Sequence, residues 1–312
     1  MSKVLIITVA VIVLIAAAAA WLWTPDLSRQ RLEAAYLRAP SDMIEVAGAQ
    51  LHVRADGPAS APAVILIHGF GSSLHTWEAW AQGLQSDFQV IRFDLPGSGL
   101  SPPDPTGRYD DARAFELLEG LMAHYGLEQA SLVGNSVGGR IAWAYAAETP
   151  ERVDRLVLVA PDGFASTGFE YDEAPEVGAV TNIMRFVLPR FLVRMNLVQS
   201  YGDPERLEDQ TVQRYYDLLR APGARQALIA RMEQTILRDP RPRLPTITAP
   251  TLLVWGEKDA LIPVANAQDY LGLLPDARLE TFEDLGHLPQ EEAAEQSLGP
   301  VKAFLTAGPD AG

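Results

Sequence analysis

The feature that most restricts this chain is a junction. Residues 130–133 form a short apolar run that reads as a strand, Gly134-Asn135-Ser136-Val137-Gly138 follows it, and residues 138–148 continue with helical periodicity. A chain passing from strand to helix in so few residues must turn sharply, and glycines on either side of the serine let the backbone close on itself. The serine hydroxyl then stands at the start of a helix, where the peptide dipoles favour negative charge. Gly-x-Ser-x-Gly alone is common; between a strand and a helix it is specific. Ser136 is therefore the candidate nucleophile.

The junction belongs to a longer alternation. Runs rich in Val, Ile and Leu at residues 63–67, 90–93, 130–133, 156–160, 251–255 and 278–282 have the length of strands buried on both faces. Helical patterns at 77–84, 112–125, 138–148, 264–274 and 290–305 lie among them. Residues 43–46 and 51–54 flank Ala47-Gly48-Ala49 as a hairpin. The expectation is an α/β fold with a mostly parallel central sheet and helices on both faces. Ligands of such sheets sit at the C-terminal strand ends. After Pro161 no strand pattern returns until Thr251, while 177–187, 191–195, 204–219 and 225–237 read as helices. An inserted helical cap is thus expected at 162–245, between core parts 43–161 and 246–312.

Ahead of the core, residues 4–23 are apolar except for Thr8. As a helix this run would be about 30 Å long, the thickness of a bilayer's hydrocarbon. Trp21 and Trp23 stand at its end, where aromatic rings favour the membrane interface. One reading is an uncleaved transmembrane anchor over 1–24. The other is a cleaved signal peptide, with Lys3 ahead of the apolar region and the alanines at 16–20 as the cleavage region. Arg29, Arg31 and Arg38 after the segment outnumber Lys3 before it, but so short a leading tail stays inside. The catalytic domain is therefore expected to be periplasmic or extracellular, membrane-anchored in the first reading and secreted in the second. Residues 25–42 read as a linker, with Ala34, Tyr36 and Leu37 at partial helical spacing.

The net charge of −15 argues against nucleic acid as a partner and against tight adsorption on anionic lipid. The absence of cysteine removes thiol nucleophiles and thiolate metal sites. Serine is a poor nucleophile unless a base takes its proton. Of the five histidines, His287 lies in Asp284-Leu285-Gly286-His287-Leu288-Pro289, after the last strand and before the final helix. It is the candidate base. An acid must orient the imidazole. Asp259, just past the strand at 251–255, is the candidate, with Glu257 and Asp162 as rivals. The backbone amides of Val137 and of Phe70, in Ile67-His68-Gly69-Phe70-Gly71, are the candidate oxyanion donors. Asp94-Leu95-Pro96-Gly97 reads as a structural turn. Ser98 and Ser101 head no helix and are not candidates. His52, His68 and His124 read as structural, and His75 as a helix-capping or surface residue. No cofactor or metal is expected, since the triad moves its own protons.

Together these motifs resemble the α/β-hydrolase superfamily from about residue 43 to 306, with Gly134-Asn135-Ser136-Val137-Gly138-Gly139, Gly256-Glu257-Lys258-Asp259 and Gly286-His287 in its chain order. Gly-Asn-Ser-x-Gly-Gly is similar to hydrolases that split carbon–carbon bonds of ring-fission products, and also to bacterial carboxylesterases and lipases with a membrane or signal segment. Phe70 stands where the first branch carries a glycine-rich loop, and Leu288 where it often carries an aromatic residue. The apolar N-terminal segment suits lipid-like esters. The resemblance thus implies a serine hydrolase that cleaves hydrophobic carboxylic esters through an acyl-enzyme. The alternative is carbon–carbon cleavage of dienoates, for which Arg185, Arg190 and Arg194 could bind a substrate carboxylate. A non-catalytic binding or scaffold relative is the remote alternative, against which the complete triad speaks. Relatives with an Asp nucleophile are disfavoured by Ser136.

Overall fold

The computed structural model describes residues 5, 7–10, 13, 22–165 and 170–307. Its centre is an eight-stranded sheet in the order β1-β2-β4-β3-β5-β6-β7-β8. The strands are β1 Met43–Val46, β2 Ala49–Asp56, β3 Ala63–Ile67, β4 Gln89–Phe93, β5 Ala130–Asn135, β6 Val153–Val159, β7 Thr251–Gly256 and β8 Ala277–Phe282. β1 and β2 form the expected hairpin, turning through Ala47 and Gly48, both at positive φ. β2 runs antiparallel to β4, and every later pairing is parallel.

Helices cover both faces. The core helices are α2 Glu78–Leu84, α3 Asp111–Tyr125, α4 Val137–Glu148, α9 Ala267–Leu271, α10 Pro289–Glu292 and α11 Ala294–Thr306, and α1 Arg29–Tyr36 precedes the sheet. β3 shows how alternation feeds two cores. Ile65 and Ile67 pack with Leu117 and Leu121 of α3 and Ile141 of α4. Val64 and Leu66 face the other way, onto Trp80 of α2 and Val301 and Phe304 of α11.

Between β6 and β7 the chain forms α5 Ala179–Ile183, α6 Arg190–Ser200, α7 Asp209–Leu218 and α8 Ala224–Gln234. Val193 and Leu197 of α6 bury against Val212 and Tyr215 of α7 and against Leu288, so these helices share apolar contact with the core loop that carries His287. α6 is longer than the 191–195 pattern, and α5 is shorter than 177–187. The helix expected at 264–274 is reduced to a 3-10 turn and α9, ending at Gly272. That expected at 290–305 breaks at Ala293, whose φ of −149° is not helical, into α10 and α11.

The expected linker is a docked helix. Ser28 caps α1 by accepting from the Arg31 amide, and Leu32 is buried with Leu27, Leu218 and Ala221. Just upstream, the Thr24 amide donates to the Phe186 carbonyl and Thr24 Oγ1 accepts from the Leu188 amide. The apolar segment at 4–23 falls mostly outside the described residues. Among the described residues no helix is long and apolar enough to cross a membrane.

Asp94, just past β4, ties the sheet to the loops above it. Its buried carboxylate accepts from His52 Nδ1 of β2 at 2.7 Å, the Leu74 amide at 2.7 Å and the Leu100 amide at 2.8 Å. Burial pushes the carboxyl up, but the imidazole of His52 and its hydrogen bond outweigh burial and hold the pKa at about 2. The unfolded value lies near 4, so this contribution is complete above about pH 4 and lost as pH falls toward 2. Asp94→Asn should cost about 2–4 kcal/mol at neutral pH. Denaturant midpoints should show that loss, and the variant should also lose less stability than the wild type between those pH values.

Candidate active site

Parallel registration brings the site together. Ile67 lies opposite Gly134 across β3 and β5, and Asn135 lies opposite Val159 across β5 and β6. The loop after β3, the Ser136 turn and the end of β6 therefore meet at one edge of the sheet. Ser136 adopts φ 56° and ψ −120°, a backbone that a non-glycine residue rarely holds. Its neighbours explain how it can. A Cβ on Gly134 would lie 2.2 Å from the Gly138 carbonyl oxygen, and one on Gly138 would lie 2.2 Å from that of Ile67. Only glycine permits either approach. The Ser136 amide donates to Val159 O, and Ser136 O accepts from the Arg140 and Asp162 amides.

Val137 is the first residue of α4, so its amide is one that a helix N-terminus leaves without an intrahelical partner. The Phe70 loop lies close by: a Cβ on Gly69 would stand 3.2 Å from Ser136 Cβ. His68 fixes that loop, donating from Nδ1 to Gly69 O and accepting at Nε2 from the Leu95 amide. Burial holds its pKa down, which keeps the neutral tautomer these bonds require.

His287 and Asp259 lie side by side. His287 Nδ1 is 2.7 Å from Asp259 Oδ2, both residues are buried, and Asp259 Oδ1 accepts from the Leu261 and Ile262 amides. The rivals are elsewhere. Glu257 is exposed and accepts from Thr281, while Asp162 accepts from Arg140 Nε at 3.1 Å. Ser136 and His287 line one cavity of about 440 Å³. Their side chains make no hydrogen bond to each other among the described residues, a spacing common before substrate binds. Leu188, Val193, Leu197, Ile229 and Met232 give the cavity apolar walls, and among the described residues neither Arg, Lys, Asp nor Glu lines it.

Arg185, Arg190 and Arg194 are not brought to the cavity. Arg185 faces Glu233, and Arg190 and Arg194 face Asp209. Val193, Leu197 and Ser200 take the inward face of α6, and Arg190 and Arg194 lie on its flank beside Asp209, the first residue of α7, while Arg185 follows α5. His75 also differs from expectation. It does not cap a helix but, half-buried at the edge of a cleft with Arg54 and Arg214, packs against the rings of Tyr36 and His52. Burial pushes its pKa down to about 3. Among the described residues no cluster of three or more His, Asp or Glu side chains could hold a metal ion.

Sequence reasoning missed the groups that hold the His287 loop. Asn135 Nδ2 donates to Val159 O and to His287 O. The His287 amide donates to Ser200 O of α6. Glu292 accepts from the amides of Gly286, Gly202 and Asp203, joining the loop to the inserted helices. It also missed Tyr215 of α7, which donates to Glu291 and pairs with Ser72 Oγ at 3.0 Å beside the Phe70 loop. These partners are far apart in the chain, and only the Asn before the serine carried a local signal. Glu292→Ala would strand three amides and should cost about 2–4 kcal/mol in denaturant titration. Glu292→Gln keeps an acceptor and should lose less.

A family model for the alpha/beta hydrolase fold matches residues 62–294. The 2-hydroxy-6-oxo-6-phenylhexa-2,4-dienoate hydrolase of Comamonas testosteroni is 29% identical over 245 residues, covering 75% of this chain and 84% of that protein. The dihydrolipoyllysine-residue acetyltransferase component of the acetoin cleaving system of Cupriavidus necator is 30% identical over 281 residues, covering 90% of this chain and 71% of that protein. Among solved structures, a membrane phospholipase A, a bacterial virulence factor, matches with a TM-score of 0.73 and 25% identity over 97% of this chain and 98% of that one. The family match spans well over half of the chain, and with the sheet order it makes this protein a hydrolase of the α/β-hydrolase superfamily.

Proposed function

We propose that this protein is a serine hydrolase of hydrophobic carboxylic esters. The observation that carries the reading is the apolar-walled cavity that Ser136 and His287 both line, with no charged side chain among its described lining residues and Asp259 behind His287. In this mechanism His287 Nε2 takes the Ser136 proton as Oγ attacks the ester carbonyl. The Phe70 and Val137 amides hold the oxyanion. The oxyanion collapses, the C–O bond breaks, and His287 gives its proton to the departing alcohol. Water, deprotonated by His287, then attacks the acyl carbonyl, and as the bond to Ser136 Oγ breaks His287 returns the proton to Oγ and the acid leaves. Asp259 accepts from Nδ1 throughout, fixing the ring and supporting its charged form.

Carbon–carbon cleavage of dienoates is the second reading, favoured by the likeness to the Comamonas testosteroni hydrolase. Against it, a dienoate carries a carboxylate, and among the described residues the cavity offers no Arg or Lys to pair with it. The likeness to a membrane phospholipase A supports the ester reading. Its description as a membrane protein also agrees with a membrane anchor over residues 1–24, and the same proposal places the catalytic domain on the periplasmic or extracellular side. In this reading the helices between β6 and β7 act as a cap that selects the acyl chain.

A series of p-nitrophenyl esters of rising chain length, run beside 2-hydroxy-6-oxo-6-phenylhexa-2,4-dienoate, tests the choice. The esters should turn over faster, with a preference for apolar chains; faster turnover of the dienoate would reverse it. Ser136→Ala should lower ester kcat by about 10³-fold or more.

A further inference from the structure

We infer that the outer face of α5 and α6 docks on a lipid bilayer, with the cavity mouth opening onto that bilayer. Single exposed apolar residues are ordinary on a soluble surface; a group of large ones is not. Ile183 and Phe186, in and just after α5, are 53% and 50% exposed, and Phe191 and Met195 of α6 are 62% and 56% exposed. Leu192 is exposed beside them. Water would select polar residues on the outer face of a helix whose inner face buries Val193 and Leu197. Here Phe191, Leu192 and Met195 make the outer face of its first half apolar as well, with the polar Asn196 and Gln199 following toward the cavity.

The chain upstream identifies the occupant. Trp23, the last residue of the apolar run at 4–23, is exposed and stacks on Phe186 at 5.6 Å between ring centroids. The Thr24 amide donates to Phe186 O. A bilayer that takes up the run at 4–23 therefore ends where the apolar face begins, and aromatic rings such as these favour that interface. The cavity opens on the same side. Asn196 and Gln199 line the cavity and are exposed, and they stand one helical turn beyond Leu192 and Met195. Exposed Phe70 and Leu261 also line it. Apolar insertion, not charge, holds the face, because a net charge of −15 gives no attraction to anionic lipid. An ester dissolved in the bilayer would then enter the cavity without crossing water, which rests on the ester-hydrolase reading.

The full chain has no cysteine, so Met195→Cys and Glu128→Cys each give a single site for an environment-sensitive fluorophore. Glu128 is exposed just before β5, at the strand ends away from the cavity. In phosphatidylcholine vesicles carrying spin-labelled lipid, the label at 195 should shift to the blue and be quenched, and the label at 128 should not. No quenching at 195, or equal quenching at both, would overturn the docking. A blue shift at 195 without quenching would mean that a second copy of the chain covers the face, and would overturn it too. The double variant Phe191→Glu with Met195→Glu should slow hydrolysis of 4-methylumbelliferyl palmitate held in vesicles about tenfold, leaving dissolved 4-methylumbelliferyl butyrate unchanged. Equal rates on the vesicle-held ester would count against the docking. If the wild type cleaves neither ester while the label at 195 is quenched, the docking stands and the ester reading fails.

Discussion

The backbone at Ser136 is the constraint on which the site depends. A residue with a side chain is held at φ 56°, at a cost of about 1–3 kcal/mol, by the packing around it. That packing needs Gly134 and Gly138 to approach carbonyls at distances no Cβ would allow. It also needs β3 and β5 to be parallel neighbours in one register, so that Ile67 and His68 stand against the turn. The central sheet order is thus what makes the strained serine affordable, and the same order sets the Phe70 loop beside it.

The second dependence is between core and inserted helices. The His287 ring is oriented by Asp259, but its backbone is held from elsewhere: by Ser200 O of α6, by Asn135 of the turn and, through Gly286, by Glu292. The inserted helices therefore do more than roof the cavity. They carry one of the contacts that fix the proposed base, and Tyr215 carries a further one to the loop of the proposed oxyanion donor. A movement of α6 or α7 that changed the cavity would also reach the catalytic geometry.

Legibility in the sequence followed the range of each signal. Strand cores were readable because buried parallel strands are continuous apolar runs, and Ser136, Asp259 and His287 because each ends or follows such a run in a glycine-marked turn. Boundaries shifted where the backbone left the helical region, as at Ala293. The Arg185, Arg190 and Arg194 reading differed from the structure because a count of cations in a segment does not reveal the distant carboxylates, Glu233 and Asp209, that they face. Glu292 and Tyr215 left no trace, since their partners come from distant segments. His75 was missed because its burial depends on Tyr36 of α1, which the pattern marked only as a linker.

The central claim is that Ser136 is a nucleophile activated by the His287–Asp259 pair. Fluorophosphonate labelling of the full chain, followed by peptide mass spectrometry, tests it most directly. One adduct is predicted, on Ser136, forming readily in the wild type and far more slowly in His287→Ala. An adduct on another residue, or none on the folded wild type, would contradict the account.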